Sequence, residues 1–192
     1  LGNADIKVPA RYDYKFISEG YLVEDCGNDQ VRITKPVAAI GDVKYASLQA
    51  AIEAAQTGDI ITILRDFELL EPAMIDKDIN IDIAGYTITY NNATESMFDV
   101  KKTLYMTNGN IVGAEADVFY GNNGSTDNNG TSEANLFLIG VNVNNIGRVV
   151  YSNSAAPGWN MVYVDGGEFN SANDVFVLDN AWNGNVTFTS VT

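Results

Sequence analysis

The sequence has no histidine and a single cysteine, and of its 192 residues only 11 are Lys or Arg, against 25 Asp or Glu. Without histidine there is no Ser-His-Asp triad, and a zinc site loses its commonest ligand. One cysteine excludes a disulfide framework and an iron–sulfur cluster. That residue, Cys26, sits in the polar stretch Glu24–Asp29 and reads as a turn residue. The shortage of cations leaves a net charge of −14, which opposes binding to phosphate backbones and anionic membranes, so nucleic acid is excluded as a partner. No run of about 18 apolar residues occurs, so no transmembrane segment is expected. Leu1-Gly2-Asn3 lacks a basic-then-apolar leader, and any export signal is expected to have been removed already. Hydrophobic residues make up 46%, enough for a packed core.

The chain divides near Pro36. Residues 1–36 carry alternating apolar runs at Tyr14–Ile17, Tyr21–Val23 and Val31–Ile33, with a Cys26-Gly27-Asn28-Asp29 turn, and are expected to form a small β-rich appendage. Residues 37–192 form the main domain. A helix is predicted at about 47–57: Ser47 caps it, Leu48, Ala51, Ile52 and Ala55 share one face, and Gly58 stops it.

Beyond Asp78 short strands replace the helical period. Ile79–Ile83, Thr103–Thr107, Asn135–Ile139, Asn160–Val164 and Asn185–Thr189 align as five copies. Aligning Gly85, Gly109, Val141, Gly166 and Val191 gives spacings of 24, 32, 25 and 25. The long interval holds the loop insertion Asn122–Ser132. A further apolar run recurs at Met97–Val100, Val118–Tyr120, Val149–Tyr151 and Val175–Leu178. Three short strands per repeat of about 25 residues, with no helices between, predict an all-β parallel β-helix, a solenoid with the helix as its N-terminal cap.

The segments Val37–Asp42, Tyr45–Ala55 and Gly58–Leu64, followed by Ile79–Ile88, resemble the opening of right-handed parallel β-helix modules of the pectate-lyase-like superfamily, as found in bacterial surface and adhesin-like proteins. The resemblance runs over residues 37–192. It implies a secreted or cell-surface bacterial location and, since residues 14–35 look like the tail that precedes such modules in tandem arrays and Asp165–Phe169 resembles a rung motif of the same proteins, neighbouring β-helix modules in a longer chain.

The resemblance also raises catalysis, because the superfamily includes polysaccharide lyases and glycosidases. A lyase acting on uronates is disfavoured: Arg148 is the only basic residue between 103 and 192. A glycoside hydrolase-like enzyme on a neutral glycan would need two carboxylates flanking a bond, and Asp165 with Glu168 is the pair available. Against it stands a non-enzymatic module for adhesion, glycan or protein contact, or spacing, with a glycan or a host or cell-surface protein as partner. Its candidate ligand residues are Trp159 and Trp182, in turns of consecutive repeats, and Tyr120 and Tyr151, one repeat apart. The alternative for both Trp residues is closure of the core edge. No cofactor is expected; a Ca²⁺ site in the insertion would rest on Asp127, without the Glu that a calcium loop requires.

Overall fold

The computed structural model describes residues 6–9, 20–121, 133–152, 158–178 and 185–192. Among the described residues the chain is all-β apart from one short helix. Strands β1 (Ile6–Pro9), β2 (Leu22–Gly27) and β3 (Gln30–Thr34) form an antiparallel sheet in the order β1-β3-β2. Asn28 and Asp29 both take positive φ (53° and 57°) between β2 and β3, the backbone that a tight two-residue hairpin needs. Of the apolar runs expected before Pro36, Tyr14–Ile17 lies outside the described residues, whereas Leu22, Val23 and Val31–Ile33 fall in β2 and β3.

Next come β4 (Ala38–Ile40) and β5 (Val43–Tyr45), which pair antiparallel, and helix α1 (Leu48–Ala54). The Ser47 hydroxyl accepts the Ala50 N–H at 3.1 Å, and Leu48, Ala51, Ile52 and Ala55 are all buried. The helix ends before the predicted residue 57. Ala55 is already extended (φ −61°, ψ 142°), and the Asp59 carboxylate takes the Gln56 N–H at 2.7 Å, offering that backbone a turn in place of another helical bond.

The remaining strands fall into three ladders that the chain visits in turn. The first holds β6 (Ile60–Ile63), β9 (Ile79–Asp82), the first half of β12 (Thr103–Val112), the first half of β14 (Asn135–Asn145), β16 (Met161–Asp165) and β19 (Asn185–Thr189). The second holds β7 (Phe67–Leu69), β10 (Thr87–Tyr90), the second halves of β12 and β14, and β17 (Phe169–Ser171). The third, an independent sheet, holds β8 (Ala73–Ile75), β11 (Phe98–Val100), β13 (Phe119–Gly121), β15 (Val150–Tyr151) and β18 (Phe176–Val177). Within the ladders every pairing is parallel; the antiparallel β4–β6 pairing makes the large sheet mixed.

The register differs from the sequence alignment by one residue at two levels. Ile79 pairs with Leu104 rather than Thr103, and Met161 rather than Asn160 pairs with Asn135 and Asn185. A one-residue slip would turn every side chain to the opposite face. In the observed register Ile79, Leu104, Leu136 and Val162 form one inward row and Ile81, Met106, Leu138 and Val164 another, all essentially buried. Phe98 and Phe119 stack in the third ladder with centroids 5.3 Å apart.

The corner between the first and second ladders is itself in register. Asn108, Gly140, Gly166 and Ser190 follow the paired residues Thr107, Ile139, Asp165 and Thr189, and all have positive φ (57°, 62°, 71° and 53°). In β12 and β14 a single left-handed residue bends the chain without breaking the parallel pairing, so each runs through the corner as one strand, whereas Gly166 and Gly167 together make the corner between β16 and β17.

Leu136 lies at the middle of an inward row and is fully buried. Leu136→Ala should lower unfolding free energy by about 2–5 kcal/mol, read as a shift of the urea midpoint at unchanged slope.

Candidate functional site: an amide-lined groove

Because parallel pairing aligns side chains level by level, outward positions also form rows. On the second ladder one row is Thr87, Asn110, Asn142 and Glu168, and its neighbour contains Val112, Asn144 and Asn170. These residues line a shallow groove of about 360 Å³. The Asn142 Nδ2 donates to Asn110 Oδ1 at 3.0 Å, the Asn110 Nδ2 to the Gly85 carbonyl at 3.5 Å, and the Glu168 backbone N–H to Asn142 Oδ1 at 3.0 Å. The Glu168 carboxylate accepts from Asn170 Nδ2 at 3.0 Å. The two central amides are thereby held in a fixed orientation by bonds at both ends.

Of the carboxylates considered from the sequence, Glu168 lines this groove and Asp165 does not. Asp165 stands on the first ladder beside Ile139 and Thr189. The intervening Gly166 and Gly167 both have positive φ (71° and 92°), and a Cβ at Gly167 would lie 2.1 Å from the Val141 carbonyl oxygen. The corner therefore assigns the two carboxylates to different ladders.

Trp159 is not an exposed ligand face. It is 1% exposed and its indole N–H donates to the Tyr151 carbonyl at 3.1 Å. Its ring lies over Gly121, where a Cβ would fall 2.6 Å from Trp159 Cε2; the missing side chain opens the slot that the indole fills. The alternative reading, closure of the core edge, describes it. Trp182 and Asp127 lie outside the described residues. Among the described residues no group of three or more metal-ligating side chains occurs, and no helix is long and apolar enough to cross a membrane.

Tyr120 and Tyr151 pair as expected, with centroids 5.7 Å apart. The Arg148 guanidinium lies 3.4 Å from the Tyr151 centroid and binds Asp117 through two bonds of 2.8 Å. Tyr151 is thus engaged by Tyr120 and by a cation that is itself anchored, so this pair acts as a structural stack. Burial raises the Tyr120 pKa above the usual tyrosine value, with Asp99 and then Tyr151 adding to it.

A second aromatic row escaped the sequence reading. Tyr105, Phe137 and Tyr163 occupy one outward row of the first ladder. Tyr105 and Phe137 stack at 4.1 Å and 8°, and Tyr163 tilts against Phe137 at 6.1 Å. Rings stacked along a ladder cover one another's faces and turn their edges to solvent, which suits register better than sugar stacking.

No family model, curated protein or solved structure matches the chain.

Two consequences follow for stability. Trp159→Ala should destabilise by about 3–5 kcal/mol, measured by urea denaturation. Because the folded pKa of Tyr120 is raised, its neutral form stabilises the fold fully below the unfolded value of about 10, and this contribution is lost as pH rises through the folded value. Urea midpoints taken from pH 9 to 11 should fall less steeply in Tyr120→Phe than in the parent; parallel slopes would contradict the assignment.

Proposed function

We propose that the chain is a right-handed parallel β-helix module, similar to those of the pectate-lyase-like superfamily, that serves as a non-catalytic binding face at the bacterial surface. The observation that supports this best is the composition of the groove: several amides in register and one lining carboxylate, Glu168. Hydrolysis of a glycosidic bond by the usual route requires a second carboxylate across that bond. An array of oriented amides can instead bind a polar chain without changing it. The three ladders, visited once each per repeat, support the solenoid reading, and the acidic charge favours a neutral or cationic partner.

The competing reading, a hydrolase on a neutral glycan through Asp165 and Glu168, keeps one argument in its favour, the position of Glu168 in the groove. Incubating the protein with neutral oligosaccharides and assaying new reducing ends separates the two. The binding-module reading predicts none above the no-protein control; release that disappears in Glu168→Gln and in Asp165→Asn would establish hydrolysis.

A further inference from the structure

We propose that the groove of the second ladder binds a linear neutral glycan running along the stacking direction, with about one sugar facing each level. This rests on the non-catalytic reading above and names its ligand class. Thr87, Asn110, Asn142 and Glu168 belong to four successive levels. Neighbouring strands lie about 4.8 Å apart, so the row extends over about 14 Å. That length accommodates several sugars of an extended chain, whose repeat is close to the strand spacing. An extended peptide rises only about 3.3 Å per residue and falls out of step with the row within a few residues.

The hydrogen-bonding capacity fits hydroxyl groups. A carboxamide has two N–H donors and two acceptor lone pairs. Asn110 donates one bond to Gly85 and accepts one from Asn142; Asn142 donates that bond and accepts one from the Glu168 backbone. Each amide therefore keeps one N–H and one lone pair, an arrangement suited to a hydroxyl that both donates and accepts. Val112, 36% exposed in the neighbouring row, adds an apolar patch suited to the C–H face of a pyranose. Glu168 at the end of the row, on a chain of net charge −14, disfavours polyuronates and sulfated or phosphorylated glycans.

Calorimetric titration with neutral glucose, mannose, xylose and N-acetylglucosamine oligomers of one to six units tests this, with oligogalacturonates as the anionic series. In at least one neutral series affinity should rise about tenfold or more between dimer and tetramer and then level off, and oligogalacturonates should bind more weakly. Asn142→Ala should weaken tetramer binding about tenfold, whereas Tyr105→Ala, on the first ladder, should leave it unchanged. If Asn142→Ala alters the circular dichroism spectrum, Asn144→Ala replaces it in the groove, with a loss of several-fold expected. Absence of length-dependent binding in every neutral series, equal binding of oligogalacturonates, or full binding by a folded groove variant would overturn the proposal. These failures leave the non-catalytic reading intact, because that reading falls only if reducing ends are released.

Discussion

Parallel pairing in register between successive levels is the constraint on which the rest of the structure depends. Each central strand gives its backbone hydrogen bonds to two neighbours, and the pairing places equivalent residues of successive levels beside one another. Inward rows such as Ile79, Leu104, Leu136 and Val162 then pack as continuous apolar columns. Outward rows become columns of like side chains, with aromatic rings on the first ladder and amides on the second. The groove is thus a product of the same register that builds the core. The left-handed column at Asn108, Gly140, Gly166 and Ser190 preserves that register around the corner between the two faces.

Much of the architecture was legible because its signals were redundant. The face of α1 combined a Ser47 cap with four apolar positions at helical spacing, and its four residues are buried as expected. Recurring apolar runs located the third ladder, since Phe98, Phe119, Val150 and Phe176 fall in paired strands. Register was harder to read. An alignment that matches Ile79 to Thr103 sets the inward face of β9 against the outward face of β12, whereas the apolar-polar alternation of Ile79, Asn80, Ile81 and Asp82 agrees with the observed pairing of Ile79 with Leu104 and Ile81 with Met106.

The site was less legible than the fold. Trp159, between Gly158 and Asn160, has the neighbours of an exposed turn residue, and its burial depends on Gly121, distant in sequence, having no side chain. Asn110 and Asn142 did carry a signal, since each follows a position of the repeat alignment, Gly109 and Val141. They were indistinguishable from the many other asparagines until their hydrogen bonds to each other and to Gly85 placed them in one row. Asp165 and Glu168 are close in sequence, but the left-handed corner between them assigns them to separate ladders.

Site-resolved amide hydrogen exchange tests the governing role of the parallel ladders most directly. β14 is bracketed by β12 on one side and by β16 and β17 on the other, so its central amides, from Leu136 to Val143, should exchange only through global unfolding and be among the slowest in the chain. Strands β2 and β3 of the antiparallel sheet should exchange faster, through local opening. Exchange in β14 as fast as in β2 and β3 would contradict an account in which the ladders hold the structure together.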